Sequence, residues 1–116
     1  GPVQIGLASS IKDLLDEEGP YFQADPTGNA RSFWVAEEDG EVVALVIEAP
    51  GRSGCIVDYR GRDETFVDCD GETVPTEALD RYAVTVSTDE DTDGALLVDL
   101  DTVEPAPVPA EPPTTG

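Results

Sequence analysis

Arg31-Ser-Phe-Trp-Val-Ala-Glu-Glu-Asp-Gly-Glu-Val-Val-Ala-Leu-Val-Ile-Glu48 is the stretch that decides the fold. It reads as two short apolar runs, Arg31 to Glu37 and Glu41 to Glu48, with Asp39-Gly40 between them. An apolar run, Asp-Gly and a second apolar run make the strongest short-range signal for a β-hairpin. Alternation places Phe33 and Val35 on one face of the first strand and Trp34 on the other. Trp34 is the only tryptophan, and it is expected as core or half-buried packing between sheets rather than as an interface anchor.

Downstream, the same grammar repeats. Ala49 to Gly54 breaks the pattern, Cys55 to Tyr59 is strand-like, and Arg60-Gly-Arg-Asp63 is a turn. Glu64 to Cys69 is another strand, and Asp70-Gly71 closes it. Pro75 to Leu79 is irregular. Arg81 to Thr88 alternates, with Tyr82, Val84 and Val86 on one side, and Ala95 to Leu100 is the last predicted strand. Short strands at this spacing predict an all-β antiparallel sandwich or barrel.

Upstream, Ser10 is a candidate N-cap for a short helix that Gly19-Pro20 ends, and Asp25 to Asn29 is a turn cluster. Residues 1–9 read as linker, and Gly1-Pro2 resembles the remnant of a cleaved affinity tag. Residues 10–101 form the expected β domain. Residues 102–116 carry five prolines among Ala, Glu and Thr, and predict a disordered or polyproline-II-like tail. That tail serves as a solvated linker, or less plainly as a docking peptide.

Composition removes most chemistry. The chain has 116 residues, 26 acidic and 6 basic side chains, and a formal charge of -20. One domain is therefore expected, and a nucleic-acid partner is not, because phosphate contacts need a basic stripe. Histidine and methionine are both absent. This excludes histidine-based triads, H-E-x-x-H zinc sites and haem held by His or Met. Two cysteines alone close neither a tetrahedral zinc site nor an all-cysteine cluster. No cofactor and no metal are expected, and no apolar run approaches the roughly 20 residues of a membrane helix.

Two constellations come close to a site. Asp89-Glu-Asp-Thr-Asp-Gly94 matches the opening of a calcium loop. The bidentate twelfth position would be Leu100, inside a predicted strand, so a hairpin turn is the reading adopted. Asp68 and Asp70 flank Cys69 without the environment of a carboxylate-pair enzyme. Cys55 begins one short strand and Cys69 ends the next, so a hairpin between them puts the two opposite one another or on adjacent loops. They pair as a disulfide in an oxidising compartment, or remain two half-buried thiols in a cytosolic one. A redox-catalytic pair is disfavoured, since the spacing is not C-x-x-C and no helix N-terminus lowers a thiol pKa.

Around these cysteines the chain resembles a known family. Arg31 to Leu45 looks like the hairpin that precedes the first cluster loop of Rieske iron–sulfur proteins of the respiratory type. Ser53-Gly-Cys55 falls at the end of that family's C-T-H-L-G-C. Phe66-Val-Asp-Cys-Asp-Gly71 falls on its F-x-C-P-C-H-G, and Leu79-Asp-Arg-Tyr-Ala-Val-Thr-Val86 is similar to the strand after its proline loop, often L-D-R-Y-P-V. The resemblance spans roughly Phe33 to Asp99.

The resemblance implies a Rieske-like β-sandwich of short stacked sheets. It also implies a lost cluster: Pro50 and Arg52 stand at the first pair of ligand positions, Val67 and Asp70 at the second. Cys55 and Cys69 then match the disulfide that clasps the two loops. The stretch from Gly71 to Pro75 is shorter than in the family, and the proline loop shrinks to Val74-Pro75-Thr76. A Rieske centre needs two imidazoles on one iron, so electron transfer is rejected. The expectation is a non-catalytic structural or docking module, a subunit or accessory of a membrane quinol-oxidising complex. It would lie outside the cytoplasm, tethered through a removed N-terminal segment and monomeric in isolation. Arg52, Arg60 and Arg62, half of the basic residues, are candidate docking residues, although each has acidic neighbours to pair with. The alternative is a free-standing cell-envelope domain that binds a peptide or small ligand.

Overall fold

The computed structural model describes residues 2–28 and 31–107. Nine strands and one α-helix run in the order β1 (Val3–Leu7), α1 (Ala8–Glu18), β2 (Tyr21–Gln23), β3 (Phe33–Glu38), β4 (Glu41–Val46), β5 (Asp58–Arg60), β6 (Thr65–Val67), β7 (Thr73–Val74), β8 (Arg81–Val86) and β9 (Ala95–Glu104). A 3-10 turn, Thr76–Ala78, precedes β8. Every strand pair is antiparallel. The strands form a curled six-stranded sheet, ordered β1-β9-β8-β4-β3-β2, and a three-stranded sheet, ordered β5-β6-β7. The chain is all-β in the sense expected, with one short helix.

The hairpin Phe33–Val46 forms as its sequence predicts. Glu38 faces Glu41 across a two-residue loop, and Asp39 and Gly40 both take positive φ, 53° and 82°. This is the backbone a two-residue I′ turn demands, and glycine adopts it without steric cost. Both faces of the hairpin are apolar, because each meets a separate core. Phe33, Val35 and Ala44 join Tyr82, Leu96, Val98 and Leu100, and helix α1 covers this face with Ile11 and Leu15. On the opposite face Ala36 and Leu45 meet Val57, Phe66, Val74 and Leu79, where the small sheet packs against the large one. Trp34 lies in that second layer, as expected.

Several boundaries differ from the sequence reading. Residues 1–9 are not a linker throughout: Val3–Leu7 is an edge strand paired with β9, with an irregularity between Gln4 and Gly6. The helix starts at Ala8, not at Ser10, and no side chain caps it. The Ala8 N–H donates instead to the Gly94 carbonyl of the β8–β9 turn at 2.8 Å, so a tertiary contact satisfies a group that a cap would otherwise serve. Gly19 does end the helix, at φ 81°, with its N–H donating to the Leu15 carbonyl. The last strand runs on to Glu104 and so takes in Thr102, Val103 and Glu104, the first residues of the expected tail. Residues 108–116 of that tail lie outside the described residues. Asp89 to Gly94 is a turn, and Leu100 is buried in β9.

Candidate functional site: the two-loop tip

Two loops meet at the tip, one leading from the large sheet into the small one and one within the small sheet. The first, Ile47 to Ile56, leaves β4. It is folded back by hydrogen bonds from the Ala49 N–H to the Cys55 carbonyl, from the Arg52 N–H to the Ala49 carbonyl, and from the Cys55 N–H to the Arg52 carbonyl, at 2.8, 3.1 and 3.1 Å. The Glu48 carboxylate accepts from the Gly54 N–H at 2.7 Å. The second loop, Asp68 to Glu72, joins β6 to β7. One oxygen of Asp68 accepts from the Asp70 and Glu72 N–H groups at 2.9 and 3.0 Å. Aspartate bonding its own backbone two residues on is what nucleates such a turn. These bonds, with the Arg52 charge as a smaller contribution, hold the Asp68 carboxyl below its ordinary range.

A disulfide and an arginine tie the loops to each other. Cys55 and Cys69 form a disulfide with Cα atoms 5.3 Å apart. The cysteines are thus on adjacent loops, one of the two placements the sequence allowed. Arg52 is the second tie. Its Nη1 lies 2.8 Å from an Asp70 oxygen and 3.6 Å from an Asp68 oxygen. The hydrogen bond to Asp70 chiefly, and the Asp70 charge, raise the Arg52 pKa above its ordinary value. The pair sits on the surface, with the Arg52 side chain 46% exposed and Asp70 61% exposed. Its role is orientation more than stability, since exposed pairs contribute little.

The other sequence candidates disperse. Pro50 is half-buried beside Arg52 in the first loop. Val67 is buried in β6, paired with Asp58 and Thr73. Arg60 pairs at 3.6 Å with Asp63, one turn on. Arg62 is exposed on the β5–β6 turn, with no ion pair among the described residues. The three arginines therefore do not converge: Arg52 is committed to the opposite loop, and Arg62 extends into solvent. Both cysteine sulfurs are consumed by the disulfide, so neither is a thiolate ligand. Among the described residues no group of three or more His, Cys, Asp or Glu side chains is placed to hold a metal ion. No described helix is long and apolar enough to cross a membrane.

One feature escaped the sequence reading. A cleft of about 540 Å³ opens where the end of α1 meets both sheets. Tyr59, Phe66 and Val74 line it together with Glu37, Glu64 and Glu77, and among the described residues no basic side chain does. These residues come from four separate strands and two turns, so no local motif marks them. Burial raises the Tyr59 pKa, and the Glu64 charge adds to it.

Comparison with known proteins gives no further anchor: no family model matches the chain, and no curated protein or solved structure does either.

Proposed function

We propose that the chain is a Rieske-like domain without a cluster, acting as a non-catalytic structural or docking module. Its setting would be the extracytoplasmic side of a membrane quinol-oxidising complex, reached through a segment outside this sequence. The observation that supports this reading is the Arg52–Asp70 ion pair. By the resemblance, these two positions correspond to the family's two histidines. Here opposite charges join the loops at the place where iron would have joined them. The disulfide between Cys55 and Cys69 is the clasp that the resemblance implies. A tip tied in both ways keeps a fixed outline, which suits recognition.

The test is site-directed photo-crosslinking from position 62 of the full-length protein in its native membranes, followed by mass spectrometry. Enrichment of respiratory subunits supports the docking role. Recovery of other envelope proteins alone, or of none, overturns it. Arg62→Glu is the informative charge reversal, because Arg52→Glu would also break the tie within the tip.

The cleft favours a second reading, a free-standing binding domain. An apolar and aromatic wall with a few polar groups is what a small-ligand site requires. A thermal shift with a metabolite panel, retained in Arg62→Glu and lost on Tyr59→Ala, would replace the docking role with this one.

A further inference from the structure

We infer that Cys69 is a thiol-exchange site, the sulfur at which an external thiol opens the tie between the two loops. The disulfide is asymmetric. Cys69 is exposed at the turn of the second loop. Cys55 is 5% exposed and packs in the core that also holds Val57, Phe66 and Leu79. Thiol–disulfide exchange proceeds by attack of a thiolate on one sulfur, in line with the bond that breaks, and access decides which sulfur is attacked. Burial of Cys55 in that core restricts access to it, whereas Cys69 is open to solvent.

Burial disfavours a thiolate on Cys55, and one contact works against that penalty. The Cys69 N–H donates to the Cys55 sulfur at 3.1 Å. A hydrogen bond to the charged form of a group favours that form, and a better-stabilised leaving thiolate departs faster. The thiolate RS⁻ forms a bond to the Cys69 sulfur, the Cys69–Cys55 bond breaks, and its electron pair leaves on Cys55, which takes a proton from water. When the reagent is a dithiol, its second thiolate attacks the reagent sulfur of the mixed disulfide and releases Cys69. The protein gains two electrons and two protons, and the dithiol becomes a disulfide.

The hydrogen bonds within the second loop and the ion pair between the loops do not involve the sulfurs. The second loop is held by the two N–H groups on Asp68, and Arg52 reaches Asp70 and Asp68 across the gap. Reduction therefore turns a covalent tie into an electrostatic one. This inference does not depend on the docking role.

The test uses the native, disulfide-bonded protein. It is exposed briefly to reduced glutathione and quenched in acid, and the adduct is located by peptide mass spectrometry. Glutathione on Cys69 is expected in at least about tenfold excess over Cys55, with Cys55 recovered as a free thiol. An adduct on Cys55, an even distribution, or no adduct on the folded protein overturns the inference. In Cys55→Ala and Cys69→Ala, the Cys69 thiol should react with neutral 4,4′-dithiodipyridine at least about tenfold faster than the Cys55 thiol. If either variant fails to fold, the adduct on the native protein alone decides.

Discussion

Trp34→Phe removes a single hydrogen bond that spans the two sheets. The indole Nε1–H donates to the Val57 carbonyl at 2.9 Å, and Val57 is 1% exposed. The carbonyl is left without its partner in a place water does not reach. An orphaned buried acceptor costs about 1–3 kcal/mol, and phenylalanine keeps part of the packing. Trp34→Ala adds the loss of the ring, which lies edge-on to Phe22 and Phe66 at 5.5 and 5.6 Å and tilted against Tyr59 at 6.3 Å. Large-to-small changes of this kind cost about 3–5 kcal/mol. Urea unfolding followed by circular dichroism measures both, with an unchanged slope confirming that stability alone has moved. Hydrogen exchange then locates the effect. Amides of β5, β6 and β7 should lose protection in Trp34→Ala before those of β8 and β9, since the indole seats the small sheet and touches nothing in the helix-covered core. A Trp34→Phe cost below about 0.5 kcal/mol, or equal loss of protection in both sheets, would refute this account.

Reduction of the Cys55–Cys69 bond releases a loop whose ends are 14 residues apart, and the chain-entropy relation gives a loss of about 3 kcal/mol, measurable by unfolding with and without reductant. Arg81 is tied on four sides: it bonds both oxygens of Glu38 at 2.6 and 3.2 Å and the carbonyls of Thr76 and Leu79 at 3.1 Å each. With both side chains 11% exposed, Arg81→Met should cost about 3–5 kcal/mol, and Arg81→Met with Glu38→Leu much less than the two changes summed, as a double-mutant cycle would read. Asp25 is held at about 2, below its ordinary 3.8, first by the Thr27 hydroxyl and then by backbone N–H groups of Arg31 and Thr27 and the Arg31 charge. A depressed carboxyl stabilises the fold fully above its unfolded pKa, so stability should fall as pH drops from about 4 through 2. Asp25→Asn should flatten that limb in a titration run at high salt, where the changing net charge of the other carboxylates below the isoelectric point of about 4.1 is screened.

The parts legible in the sequence are those whose cause is local. The Phe33–Val46 hairpin announces itself because Asp39-Gly40 supplies the turn backbone and the flanking residues supply the strands. The last two long strands are visible for a similar reason. What the sequence hides depends on distant partners. Val3–Leu7 alternates Val3, Ile5 and Leu7 but is five residues long and holds Gly6, and β9 offers it the edge on which it pairs. The strands Tyr21–Gln23 and Thr73–Val74 are too short to show a period. At the tip, the nearness of the two cysteines was accessible from spacing, but the Arg52–Asp70 contact was not, since 18 residues separate two charges that carry no common pattern. The sequence grouped Arg52, Arg60 and Arg62 by proximity along the chain, whereas the backbone points them into different surroundings.

Burial of the β3–β4 hairpin on both faces has a consequence for folding errors. In a strand with one wet face, a slip of one residue would drive polar groups into the core and be rejected at once. Here Phe33 and Val35 serve one core while Trp34 and Ala36 serve the other, so a slipped strand still presents hydrocarbon to both sides. Apolar patterning then gives little protection against frameshifted pairing. The discrimination falls to the two residues of the turn, to the shape of the indole and to the hydrogen bond it makes. Kinetic traps in which the two cores have exchanged occupants are the characteristic hazard of this architecture, and Asp39-Gly40 is its principal safeguard.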